Sequence, residues 1–142
     1  MFNARTAWLV GEGRPLDSLG VALDRHGCRV ERIAADGIDA VLEKVRGGDL
    51  SLLPNLILLT HDAAAPAGAA SLETLANRSP WRLVPLVVVS PTEDEDGCRE
   101  AYAAGASSWA VIPDDDAGGQ LAEAFARYWL ETAMLPSPAL PG

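Results

Sequence analysis

The sequence predicts a doubly wound α/β domain: one five-stranded parallel sheet with helices on both faces, a (βα)5 sandwich of three layers. Three observations predict it. Short apolar runs alternate with stretches whose apolar residues recur at helical spacing. One of those runs, Leu56-Ile57-Leu58-Leu59, is continuously apolar and only a few residues long, which is how a central parallel strand reads when both its faces are covered. The chain has 142 residues and is 49% hydrophobic, enough for one domain with a sizeable core. Alternating strand and helix patterns imply right-handed βαβ units.

Each element has its own signal. The first strand is Ala7-Trp8-Leu9-Val10, closed by the turn Gly11-Glu12-Gly13-Arg14. Pro15 suits the first turn of a helix, and Leu16, Leu19 and Leu23 form its apolar stripe, with Val21 to one side. Gly27 ends that helix. Residues 28–33 alternate apolar and charged, the pattern of an edge strand. Asp36 is placed to cap a second helix bearing Ile38, Val41, Leu42 and Val45, and Gly47-Gly48 stops it. After the third strand, an Ala-, Pro- and Gly-rich loop over 63–68 leads to a short helix around 71–77. Residues 83–89 are the most β-branched stretch and form the fourth strand. A fourth helix runs over 93–104, its acidic start suited to a helix N-terminus. Residues 107–112 make the fifth strand, ended by Pro113. Asp114-Asp115-Asp116 opens the last helix, which continues through Leu121, Ala122, Phe125 and Tyr128 to Trp129 or beyond.

Composition excludes several function classes. A net charge of −9, with scattered basic residues, repels phosphate backbones, so no nucleic-acid partner is expected. No apolar run approaches the ~20 residues of a membrane helix, and the first residues do not read as a secretory signal. A cytoplasmic protein with no membrane partner is the expectation. Cys28 and Cys98 have no metal-ligand spacing and read as two reduced thiols. Of the 11 basic residues, Lys44 is the single lysine.

In such sheets, ligands and chemistry sit beyond the C-terminal ends of the strands. Those ends are Gly11-Glu12, Thr60-His61, Ser90 and Ile112-Pro113. Around them the chain resembles the receiver domains of bacterial two-component systems. Leu9-Val10-Gly11-Glu12 is similar to the first strand that normally ends in two acidic residues. Pro54-Asn55-Leu56-Ile57-Leu58-Leu59-Thr60 is similar to the third strand, which normally ends in the phospho-accepting aspartate. Val87-Val88-Val89-Ser90 matches the fourth strand with its terminal hydroxyl. Ala101-Tyr102-Ala103-Ala104-Gly105-Ala106-Ser107-Ser108-Trp109 resembles the fourth helix, the Gly-Ala turn and the switch aromatic of the fifth strand. Val111-Ile112-Pro113 stands where the family has a Lys-Pro pair. The resemblance covers residues 6 to about 130 and implies a flavodoxin-like fold with strand order 2-1-3-4-5.

A working receiver needs a carboxylate nucleophile, acidic oxygens for Mg²⁺ and a lysine for the transferred phosphate. Here Thr60 replaces the nucleophile, and a hydroxyl cannot form an acyl phosphate. Gly11 removes one acid, leaving Glu12; Ile112 replaces the lysine, and Lys44 belongs to the distant second helix. The losses are mutually consistent, because removing the aspartate alone would strand a buried lysine at a cost of about 3–5 kcal/mol. The expectation is a pseudo-receiver without phosphotransfer, not an enzyme, with no cofactor. Glu12 and Asp62 are weak candidates for a divalent cation, against the plainer reading of two solvated carboxylates. His61 beside Asp62 reads first as a surface histidine. Ser90 either caps its strand end or bonds to Thr60, and Trp109 either locks one orientation of the switch or simply packs against the fourth helix.

Function then falls to protein contacts. Tyr102, Trp109, Tyr128, Trp129 and Leu130 are the interface candidates, on the fourth helix, fifth strand and last helix. The ending Tyr128-Trp129-Leu130-Glu131-Thr132-Ala133-Met134-Leu135-Pro136 is similar to short regulators that accompany bacterial phytochromes, whose C-terminal extension helps form a homodimer. That likeness implies a homodimer and, as partner, a sensor histidine kinase or bacterial phytochrome. Residues 1–131 make the receiver-like domain and 132–142 a Pro-rich arm. Two alternatives remain open: phosphorylation at an unusual acceptor, and a small-molecule or nucleotide-binding module on the same fold.

Overall fold

A computed structural model describes residues 5–34, 54–60, 84–116 and 119–133. The second and third helices of the sequence-based order, with Lys44, His61 and Asp62, lie outside the described residues, as does the tail from 134. The elements are β1 (Thr6–Val10), α1 (Arg14–Arg25), β2 (Arg29–Ile33), β3 (Leu56–Thr60), β4 (Leu86–Ser90), α2 (Glu95–Ala104), β5 (Ser108–Val111) and α3 (Gln120–Arg127). The sheet is parallel throughout, in the order β2-β1-β3-β4-β5. Both the fold class and the strand order agree with the expectation.

Alternation along the strands divides the core into two layers. Trp8, Val10, Ile57, Leu59, Leu86 and Val88 face one way with Ala101 of α2, and Trp109 packs on this layer. Ala7, Leu9, Leu56, Leu58, Val87 and Val89 face the other way. There they meet Leu16, Leu19 and Leu23 of α1, and Ala122 and Ala126 of α3. β3 and β4 are buried on both faces, so their sequences are apolar without alternation. Fully burying one such aliphatic side chain contributes roughly 1.5–3 kcal/mol. β2, at one edge, keeps only Val30 and Ile33 half-buried, which explains its charged alternation.

Helix ends follow local chemistry. α1 stops because Gly27 takes φ +84, letting the Gly27 and Cys28 amides return to the Asp24 and Leu23 carbonyls. α2 begins two residues later than the acidic run suggested. Asp94 is extended, and its carboxylate accepts the Gly97 N–H at 2.9 Å, so it caps the helix instead of entering it. β4 likewise starts at Leu86, after Pro85, not at residue 83. The last helix starts at Gln120, with the Asp116 carboxylate accepting the Leu121 and Ala122 amides at 3.1 Å. Leu121, expected on its apolar stripe, is exposed; Ala122, Ala126 and Leu130 take the buried positions.

An unforeseen feature follows α3. Tyr128–Thr132 forms a π-helical turn, with the Ala133 amide bonded to the Tyr128 carbonyl. The Arg5 guanidinium donates to the Leu130 carbonyl and ties this turn to the start of the sheet. Both cysteines are free; Cys28 lies in the core, where burial pushes its thiol up to about 11. No helix among the described residues is long and apolar enough to cross a membrane.

Candidate functional site at the strand ends

The strand ends open into a crevice of about 350 Å³ lined by Glu12, Gly13, Pro15, Thr60, Val89, Ser90, Pro91, Thr92 and Asp114. β1, β3 and β4 deliver its floor side by side, because their registers pair Val10 with Leu59 and Thr60 with Val89. Glu12, Thr60 and Ser90 are therefore brought together, as the sequence suggested.

Gly11 governs the shape of the rim. It is buried, and its φ of +110 belongs to the region that favours glycine. A Cβ there would fall 2.2 Å from Thr60 Oγ1 and 3.1 Å from Thr60 Cβ. Thr60 thus fills the space that a side chain at position 11 would need. The Gly11 N–H donates to the Ile33 carbonyl at 3.0 Å, and its carbonyl accepts from Arg32 Nη2 at 3.4 Å.

Ser90 resolves one open alternative. Its hydroxyl donates to the Thr92 carbonyl at 2.8 Å and accepts the Thr92 N–H at 3.3 Å. It caps the end of its own strand, and with 2% exposure it is a buried hydroxyl satisfied locally. Ile112 does not line the crevice. Its amide bonds to the Ser90 carbonyl, and its side chain joins the core layer under α1 and α3. The other Trp109 question is answered in part: the ring packs on the layer that includes Ala101 and Ala104 of α2.

Two lining residues escaped the sequence reading. Asp114 was grouped with Asp115 and Asp116 as a helix start, but only Asp116 caps, while Asp114 lines the crevice. Thr92 supplies the backbone groups that hold Ser90. The position of Asp114 directly after Pro113, at the end of β5, was the available signal.

The electrostatics are acidic. Glu12 and Asp114 are carboxylates, and no described lining residue is basic. Arg32, whose Nη2 donates to the Gly11 carbonyl at 3.4 Å, is also held by Asp17 at 2.7 Å. Among the described residues no group of three or more His, Cys, Asp or Glu side chains is arranged to hold a metal ion. The proposed approach of Asp62 to Glu12 lies outside the described residues.

The interface candidates separate in the fold. Tyr102 and Tyr128 are about half exposed. Trp129 is half-buried, at 6.1 Å from Phe125 and edge-on to Tyr128 at 5.2 Å. Leu130 is corrected: it packs with Ala122 and Ala126 in the core, four residues beyond Ala126 on the same helix face, and is 6% exposed.

No protein-family model matches this chain, and no curated protein sequence does. Solved structures do. The phosphorylated cyanobacterial phytochrome response regulator RcpA aligns with a TM-score of 0.78 at 20% identity, over 95% of this chain and 100% of its own. The fold is that of response-regulator receiver domains. The Mn²⁺-bound response regulator Rcp1 aligns at 0.72 and 20% identity, over 94% of this chain and 99% of its own. The chemotaxis response regulator CheY4 of Vibrio cholerae gives 0.68 and 16% identity, over 90% and 100%. At these identities the likeness of this receiver fold is one of architecture, and the crevice residues carry the functional argument.

Proposed function

We propose that this chain is an atypical response regulator of two-component signalling that is not phosphorylated and acts through protein contacts. One observation supports the reading: the described lining of the crevice offers the Thr60 hydroxyl and the Glu12 and Asp114 carboxylates, and none of its described residues is basic. Phosphoryl transfer to a receiver needs an acceptor carboxylate, a bound cation and a positive partner for the transferred group. In this crevice Thr60 is a hydroxyl, Ser90 is engaged with Thr92, and the charged lining residues Glu12 and Asp114 are both negative. Two like charges 4 Å apart near a protein surface repel by about 4 kcal/mol. A phosphoryl dianion entering here meets repulsion, with no basic residue among the described lining residues to compensate it.

Contacts would run through the surface around β5, the edge strand opposite β2. Tyr102 on α2 and Tyr128 after α3 offer exposed aromatic anchors of the kind enriched at interfaces. Either a second copy of this chain or a sensor kinase is the partner. The likeness to phytochrome response regulators supports a phytochrome-type kinase. Light scattering during size-exclusion chromatography tests self-association: a dimer is expected at high micromolar concentration, weakened by Tyr128→Ala or Tyr102→Ala. A monomer at every concentration removes the homodimer. Beryllofluoride with Mg²⁺ tests the site itself: amide resonances of Thr60, Ser90 and Glu12 are expected to stay in place, and saturable shifts there would overturn the proposal.

A further inference from the structure

The densest convergence of charge in the described chain lies away from the crevice, between α1 and the end of α3. His26, at the C-terminal cap of α1, stands between two carboxylates. Its Nε2 is 2.6 Å from Glu123 Oε1, and its Nδ1 is 2.7 Å from Glu131 Oε2. An ionised carboxylate only accepts hydrogen bonds, and a neutral imidazole carries one N–H and one lone pair. Only the Nε2 contact has hydrogen-bond geometry; the Glu131 contact is an ion pair, present when the ring is charged. Only the imidazolium attracts both carboxylates, and a neutral ring leaves Glu131 without that attraction. The helix C-terminus also favours a cation at this place.

The surrounding charges decide which contact yields. Glu123 is reached by Arg25 of α1 at 3.5 Å and by Arg127 of α3 at 3.9 Å, and the His26 hydrogen bond holds its carboxyl below the usual carboxylate range. Among the described residues, His26 is the only cation paired with Glu131, whose side chain is 55% exposed. Asp24 of α1 adds a further negative charge nearby in sequence, and Arg5 is occupied with the Leu130 carbonyl. The π-turn makes the pairing possible. On a straight α-helix, eight residues advance about 80° beyond two full turns. The wider π-turn rotates less per residue and returns Glu131 toward the side of Glu123.

We propose that His26 is a proton-operated latch: its doubly protonated ring ties the π-turn to the end of α1, and loss of the Nδ1 proton releases Glu131. The neutral ring keeps its Nε2–H bond to Glu123, which the two arginines still compensate. Glu131 turns to water, and residues 130–133 loosen while α3 stays packed. The release follows the loss of that ring proton. The latch positions Tyr128 and Trp129 whether or not the chain self-associates.

Imidazole ¹⁵N NMR and amide hydrogen exchange as a function of pH test it on the full chain. His61 is the other histidine, and His61→Gln assigns the signals. Expected is a His26 imidazolium at the acid end, with protection at 130–133 falling several-fold, after correction for intrinsic exchange, at the same midpoint as ring deprotonation. In Glu131→Gln the ring still titrates, but protection at 130–133 no longer follows it. Protection that ignores the ring's titration, or the same pH dependence persisting in His26→Gln, would overturn the latch. Should either variant misfold, the wild-type titration alone decides.

Discussion

The crevice at the strand ends and the seam between α1 and α3 both gather polar groups from distant parts of the chain, with opposite results. In the crevice, Glu12, Thr60, Ser90 and Asp114 arrive from four strand ends, yet Ser90 turns to its own loop and the two carboxylates meet no lining cation. In the seam, His26, Arg25, Glu123, Arg127 and Glu131 interlock at 2.6–3.9 Å. Opposite charges converge where two helices are held together, while the described lining of the crevice carries charge of one sign. The lesson is that a fold's ligand-binding position supplies proximity, while the charges placed there decide whether anything is bound.

Restoring an acid to the crevice is the strongest way to break that contrast. Gly11→Asp meets both the positive φ and the Thr60 side chain. Backbone strain alone is expected to cost about 1–3 kcal/mol, and the overlap adds to it. Combining it with Thr60→Gly removes the overlap and should recover part of the loss, leaving the φ strain. Denaturant unfolding of both variants measures this; a Gly11→Asp chain as stable as the parent would contradict the coupling between positions 11 and 60.

Ser90→Ala sharpens the contrast at smaller scale. It removes a buried hydroxyl bonded only to the Thr92 backbone, so stability should fall by about 1 kcal/mol. The two exposed tyrosines should associate as before, because nothing in the crevice reaches them.

The seam predicts an acid limb. Glu123 is held below the usual carboxylate range, chiefly by the hydrogen bond from His26. A carboxyl with a depressed folded-state value contributes stability that is present above its unfolded value, near 4.3. That contribution is lost as pH falls through the folded value. Glu123→Gln should flatten this part of the stability–pH curve, since Gln cannot titrate; an unchanged acid limb would show that the seam contributes nothing there. The effect is modest, because the site is partly open to solvent.

Legibility in the sequence followed the range of the interactions. β3 and β4 were readable because burial on both faces leaves only apolar residues, a signal contained within five positions. Caps were readable as residue types, but the helix starts were misplaced by two positions at α2 and by at least four at α3, since Asp94 and Asp116 cap from outside the helices. The crevice was half legible: strand ends located Glu12, Thr60 and Ser90, while Asp114 and Thr92 enter through loop geometry that no periodicity encodes. Leu130 misled because it was grouped with the neighbouring Tyr128 and Trp129 as an interface residue, although its spacing of four from Ala126 puts it on the buried face. The His26 seam was invisible, since Glu123 and Glu131 lie about a hundred residues from it and surface charges on helices read alike.

The central claim is that the crevice takes no phosphoryl group. Intact-mass spectrometry after incubation with acetyl phosphate and Mg²⁺, followed by peptide mapping, tests it most directly. The account predicts one unshifted species, identical with and without the phosphodonor. A species heavier by one phosphoryl group, mapped to an aspartate or to Thr60, would contradict it.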